Sequence, residues 1–230
     1  MKVIFITLLL SLALIKCYED SDSLKRRLNF YKNVKKYSNN TLDVGYDINK
    51  GLYCVANTDL EYGNKILNVP KSLTICPYYL FPFKYELVDA LNKVEGLKET
   101  IGKQQKVSVY LLTYYLLYYM YAPKEEINKY IHEKNLEHYY NLTEIDPSIK
   151  DSFPNVMLTS ATMEKEHFET LQSLGFSMDK MTELEFFMGS VIMNLQNSEH
   201  FPMIYSWISD KDRYFWAYAI VISRGMTLRI

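Results

Sequence analysis

Residues 50–75 read KGLYCVANTDLEYGNKILNVPKSLTI, and how this stretch folds sets the reading of everything around it. Residues 52–56 (LYCVA) are a short β-prone run. Glu61, Tyr62, Gly63 and Asn64 supply turn chemistry. Residues 65–69 (KILNV) are a second strand candidate, stopped by Pro70, and residues 72–75 (SLTI) are a third. Two short strands about a glycine-containing turn predict a hairpin or small sheet.

Upstream, residues 23–36 (SLKRRLNFYKNVKK) place Leu24, Leu28, Tyr31 and Val34 at spacings of three and four. That pattern predicts a helix with one apolar face and a basic opposite face, ending near Ser38, Asn39 and Asn40. Before it, Met1 and Lys2 are followed by an uncharged run at residues 3–15 (VIFITLLLSLALI), then Lys16 and Cys17. A basic start, a 13-residue apolar run and a small residue at a cleavage position read as a secretory signal peptide over residues 1–17. Thirteen residues are short for a bilayer span; a signal anchor and a buried helix are the alternatives. Removing residues 1–17 leaves 24 basic and 27 acidic residues, a net charge of −3, and two cysteines, Cys54 and Cys76, free to pair in an oxidising compartment. Sequons at Asn39 and Asn141 fit a secreted chain.

Downstream of residue 86 the texture is helical. Residues 107–122 (VSVYLLTYYLLYYMYA) carry no charge and six tyrosines between Lys106 and Lys124. The length and the phenol hydroxyls favour a buried helix with polar tips over a transmembrane one. Residues 161–174 and 181–196 are further helix candidates, and a last helix is expected over about residues 210–222.

Composition narrows the function classes. Of 230 residues, 48% are hydrophobic and 23% charged, which excludes disorder and a disulfide-dense miniprotein. A net charge of −1 argues against a general nucleic-acid binder. No glycine-rich phosphate loop, HExxH, CxxC or G-x-S-x-G occurs. The four histidines, His132, His138, His167 and His200, lack helical metal-pair spacing and are expected in surface or capping roles. Cys54, in a strand without a basic neighbour in sequence, is expected to be a buried thiol.

Two separated segments add a resemblance. The first carries Gly51-Leu52, Ala56, Asp59-Leu60, Gly63, Ile66-Leu67 and Val69-Pro70; the second, residues 214–228 (YFWAYAIVISRGMTL), carries Trp216-Ala217 and Ser223-Arg224. In this order, with a helical insertion between them, they resemble SET-domain protein methyltransferases of the Rubisco large-subunit and actin-histidine methyltransferase type, over roughly residues 30–228. The interval from Gly51 to Asp59 is about two residues longer than the family's. The resemblance implies an α+β fold: a small β-hairpin or sheet of the N-terminal SET half followed by a mainly helical insertion. It divides the chain into a signal peptide (1–17), an N-terminal helix (18–44), an N-terminal SET half (45–85), a helical insertion (86–209) and a Ser-Arg helix (210–230).

The implied function is S-adenosylmethionine-dependent methylation of a protein substrate, on a lysine or a histidine side chain, with lysine favoured. The implied cofactor-binding residues are Asn49, Lys50, Gly51 and Arg224. Glycine lets the backbone approach a ligand closely, and a guanidinium suits the cofactor's carboxylate. A turn glycine and a helix-terminal arginine are the ordinary alternatives. The family's second SET half, with an Asn-His pair and a catalytic tyrosine, has no counterpart among the 230 residues. No catalytic residue is therefore assigned, and the chain is expected to be truncated or inactive alone. No metal, nucleic acid or stable membrane span after signal removal is expected. The alternative function is a non-catalytic lumenal or secreted interaction module. Localisation is expected in the secretory pathway, or in cytoplasm or nucleus if residues 1–17 do not work as a signal.

Overall fold

A computed structural model describes residues 21–38, 41–47, 51–63, 68–76, 81–94, 103–137, 145–154 and 179–224. The expected helix at residues 161–174, the signal segment, Asn49 and Lys50 lie outside the described residues. Among the described residues the fold is α+β: mostly helical, with one small antiparallel sheet. The chain divides into two compact units, residues 1–74 with 144–156, and residues 75–143 with 157–230.

In the first unit, α1 (Ser21–Val34) continues into a 3-10 turn, Lys35–Ser38. Phe30 is buried, and Leu24, Leu28, Tyr31 and Val34 are half-buried, so the apolar spacing does define the inward face. That face packs on β1 (Leu42–Asp47) and on a 3-10 turn at Pro147–Ser152. Asp146 starts the latter by accepting from the Ser148 amide at 2.9 Å, the capping role that aspartate fills readily. The Ser148 side chain first, then this amide bond and the charge of Lys36, hold the Asp146 carboxyl below the usual carboxylate range. Between α1 and β1, the Ser38 hydroxyl donates to the Lys35 carbonyl (2.7 Å) and Thr41 Oγ1 donates to the Ser38 carbonyl (2.7 Å). These side-chain bonds replace helical ones and stop the helix.

The hairpin differs from the expected one. β2 (Gly51–Ala56) pairs with β1 upstream, in register from Leu42 opposite Ala56 to Asp47 opposite Gly51. The strand expected at 72–75 is instead a 3-10 turn, Lys71–Leu73, where the Leu73 amide closes on the Pro70 carbonyl at 3.0 Å. Pro70 lacks a donor and has a fixed φ, which suits that turn and not a ladder. Asn68 and Val69 carry no regular structure, and residues 65–67 lie outside the described residues. The 62–63 turn is present, with Gly63 at φ +90°. β1 has the alternation Leu42, Val44, Tyr46, but Asp43, Gly45 and Asp47 between them are strand-poor residues that mask it. Gly45 has a tertiary reason. The ring of Tyr53, directly opposite, lies across it, and a Cβ there would fall 2.6 Å from Tyr53 Cζ.

The described residues of the second unit form a bundle of helices. α2 (Lys84–Asn92) buries Leu87, Ala90 and Leu91, and α4 (Lys124–Glu133) buries Ile127 and Ile131. α3 (Lys103–Tyr121) is the central helix. Every residue from Tyr110 to Tyr119 except Leu112 is buried, which fits a helix apolar on all sides. No helix among the described residues is long and apolar enough to cross a membrane. α5 (Asp179–Leu195), α6 (Phe201–Ile208) and α7 (Lys211–Arg224) complete the bundle. α3 packs along α7, and ring pairs fix the register: Tyr110 with Tyr218 (centroids 5.8 Å) and Tyr114 with Tyr214 (5.6 Å). Opposite directions of numbering make the two helices antiparallel. Asp210 starts α7 by accepting from the Arg213 amide at 3.0 Å. Asn194 Nδ2 donates to the Ala90 carbonyl at 3.0 Å and ties α5 to α2.

Candidate functional site

Gly51 is the first residue of β2, paired with Asp47 at the closed end of the hairpin. Arg224 is the last residue of α7. Both lie at element ends, where backbone groups or a helix terminus face outward from regular structure. They belong to different units. Among the described residues no group of three or more His, Cys, Asp or Glu side chains is placed to hold a metal ion. Cys54 and Cys76 are free thiols. Cys54 is exposed, contrary to the buried thiol expected, because residues 53–56 of β2 are all solvent-exposed.

The polar side chains of the second unit converge elsewhere. His200 precedes α6 and occupies its N-cap position, but its ring does not cap the helix. Instead Nδ1 meets Glu86 Oε1 of α2 at 2.9 Å and Nε2 meets the Tyr130 hydroxyl of α4 at 2.6 Å. Phe83 lies against the imidazole with ring centroids 5.0 Å apart. Glu199 Oε1 is 3.3 Å from Nε2.

Glu86 Oε1 is placed to accept from Nδ1, while Nε2 lies within reach of both the Tyr130 hydroxyl and the Glu199 carboxylate. Tyr130 has its pKa raised, first by desolvation and then by the nearby carboxylates of Glu199 and Glu86. Its hydroxyl therefore stays protonated. The result is a carboxylate–imidazole–phenol chain joining α2, α4 and the start of α6. It can hold or pass a proton, but it does not contain an activated nucleophile.

Phe83 adds strain. It has φ +65°, a left-handed conformation unusual for an aromatic residue, and is 1% exposed. Such conformations cost about 1–3 kcal/mol and persist where packing over-determines them. Here the His200 and Tyr130 rings hold Phe83 from one side. Nothing in local sequence singles out this group, because Glu86, Tyr130 and His200 are separated by 44 and 70 residues. The surface or capping role expected of His200 does not hold: its side chain is only 14% exposed.

Replacing His200 with Ala strips a hydrogen-bond partner from both Glu86 and Tyr130. The expected loss is about 2–3 kcal/mol of stability, the scale for leaving partly buried polar groups unmade. Urea unfolding measures it. Glu199→Gln, altering a side chain 83% exposed, is expected to change stability by less than about 0.5 kcal/mol. Equal effects from the two substitutions would remove His200 from its joining role.

No known family, curated protein or solved structure matches the chain.

Proposed function

We propose that this chain binds S-adenosylmethionine as part of a SET-type protein-lysine methyltransferase. The observation that carries the reading is the ordered pair of segments, Gly51 to Pro70 and Trp216 to Arg224, separated by a long stretch whose described residues are mainly helical. Gly51 is the first residue of β2, and Arg224 is the last residue of α7. Glycine permits close backbone approach to a ligand, and arginine can meet a carboxylate through two parallel N–H donors. The cofactor supplies an electrophilic methyl group, and a protein side-chain amine is the acceptor that this chemistry takes.

Titration calorimetry with S-adenosylmethionine tests the reading. Arg224→Ala is expected to weaken binding by about 1.5–3 kcal/mol, the range for a hydrogen bond to a charged group. Absence of binding to the unaltered chain would sink the reading as a whole. Binding that is unaffected by Arg224→Ala would remove only Arg224 from the site.

One observation favours the second reading, a non-catalytic interaction module. Tyr53, Val55, Leu60 and Tyr62 are all exposed along and just after β2, which is more apolar surface than a two-stranded ribbon needs. A chain that fails to bind the cofactor but is retained on a partner through this strand would favour the module.

A further inference from the structure

We infer that His200, Glu199 and Tyr130 form a binding site for a divalent transition-metal ion of the zinc class. The imidazole is supported from behind. Its Nδ1 meets the Glu86 carboxylate at 2.9 Å, and the Phe83 ring lies against it. Nε2 faces the other way, toward the Tyr130 hydroxyl and the Glu199 carboxylate. A histidine that ligates a metal through one ring nitrogen almost always donates the other N–H to a carboxylate, a carbonyl or water, which fixes the ring and raises the basicity of the ligating nitrogen. Glu86 stands in that place. The site shares no residue with Gly51 or Arg224, so it does not depend on the cofactor reading.

The distances fit a tetrahedral ion. Two donors that are each about 2.0–2.1 Å from such an ion lie about 3.3–3.4 Å apart. Nε2 and Glu199 Oε1 are separated by 3.3 Å. The phenol oxygen, 2.6 Å from Nε2, is at hydrogen-bond distance. It has to withdraw by about 0.7 Å when an ion takes the place of the shared proton. Glu199 is largely exposed and can close on the ion from outside, with water in the fourth position. Imidazole suits zinc, copper, iron and nickel, and the carboxylate and phenol add two oxygen donors. Because the third donor is a phenol, the spacing of His, Cys, Asp and Glu along the chain does not reveal the set, and no metal is expected from sequence.

Charge and backbone support the same assignment. Desolvation first, then the carboxylates of Glu199 and Glu86, raises the pKa of Tyr130, so the metal-free phenol keeps its proton. A bound dication inverts that balance. Tyr130 then releases its proton to solvent, and the charges of the ion, the Glu199 carboxylate and the phenolate sum to zero. The donors are held on short, bonded backbone. The His200 amide donates to Ser198 Oγ at 3.2 Å, and the Ser198 amide donates to the Leu195 carbonyl at 2.8 Å. Phe83, in its left-handed conformation, is the apolar wall behind the imidazole. Strained residues of that kind gather at ligand clamps and active sites.

Calorimetric titration of the full, chelator-treated chain with zinc ion at neutral pH tests the inference. A single ion is expected to bind. Glu86→Gln is expected to weaken binding by about 10–100-fold, the cost of losing a carboxylate behind a ligating histidine. Glu199→Gln is expected to weaken it at least about tenfold, as a lost ligand costs no less than a lost support. His200→Ala also removes bonds that hold the helices together, whereas Glu199→Gln leaves the metal-free fold intact and so reads the ion alone. Cobalt(II) in place of zinc is expected to give the visible absorption of a four-coordinate ion, and Tyr130→Phe to change that spectrum. His132→Ala, which alters an exposed histidine paired with Glu137 at 2.7 Å, is expected to leave the affinity unchanged. No zinc binding, or binding that Glu86→Gln and Glu199→Gln leave unchanged, would overturn the inference. So would binding that is abolished by His132→Ala or by alkylation of Cys54 and Cys76, which would place the ion elsewhere.

Discussion

Trp207→Ala is expected to lower the stability of the helical unit by about 3–5 kcal/mol, the span for removing a large aromatic side chain from a core. Trp207 is fully buried in α6, a helix of only eight residues. So short a segment is not helical by itself in water. It is held by Ile204, Trp207 and Ile208, all fully buried, and by the edge-to-face contact of Trp207 with Tyr118 of α3. Truncation leaves a cavity between α6 and α3 that a rigid bundle closes only in part. The indole Nε1 is buried without a hydrogen-bond partner. Trp207→Phe removes that unpaired donor while keeping much of the apolar area, so its cost is expected to fall below that of the alanine variant by about 2 kcal/mol or more. Urea unfolding followed by circular dichroism measures both. Equal costs would show that α6 does not depend on the filled volume.

Raising the pH above 10 is expected to unfold the same bundle in step with ionisation of its tyrosines. Tyr110, Tyr114, Tyr118 and Tyr214 all have their hydroxyl pKa raised from 10.0, with burial as the largest cause; Tyr118 is pushed up to about 12. The sign follows from proton binding. The folded chain keeps these protons at pH values where the unfolded chain has released them. The stabilisation is therefore complete below pH 10 and is lost as pH rises through the folded values. Tyr118 alone contributes about 2 kcal/mol to the change by pH 12, where its folded form is half ionised, because each tenfold difference in proton affinity between the folded and unfolded chain is worth about 1.4 kcal/mol. The Tyr214 hydroxyl can donate to a Tyr114 phenolate, but this lowers the Tyr114 pKa by less than burial raises it. Phenolate absorbance and helical circular dichroism, followed together, test this. Core tyrosines that ionise near pH 10 with the helices intact would contradict it.

Some of this architecture is legible in the residues. The apolar spacing of Leu24, Leu28, Tyr31 and Val34 marks the inward side of α1, and an uncharged tyrosine-rich run from Val107 to Ala122 marks a buried helix. The last helix, expected over 210–222, spans Lys211–Arg224. α4 and α6 have no comparable signal. α4 shows only two buried residues, Ile127 and Ile131, among charges, and α6 is too short to show a periodicity. β2 forms where it is expected, and its partner among the described residues is the upstream β1. Residues 65–69 look like a strand by composition, whereas Asp43, Gly45 and Asp47 make β1 look like a loop.

The candidate site divides in the same way. Gly51 and Arg224 are singled out by sequence motifs, which identify local segments and the ends of elements. The Glu86–His200–Tyr130 chain carries no such signal. Its members come from three helical segments, and only bundle packing brings Nδ1 and Nε2 of one imidazole within hydrogen-bond reach of a carboxylate and a phenol. Sequence by itself determined the elements whose periodicity or charge pattern is local: the polarised α1, the buried α3, the strand at Gly51–Ala56 and the final helix. Tertiary structure decided which strand pairs with β2, why Gly45 must lie under Tyr53, and which histidine is enclosed. The physical reason is range. Spacing along the chain records which face of an element is apolar, whereas strand partners and hydrogen-bonded side chains are set by residues distant in sequence.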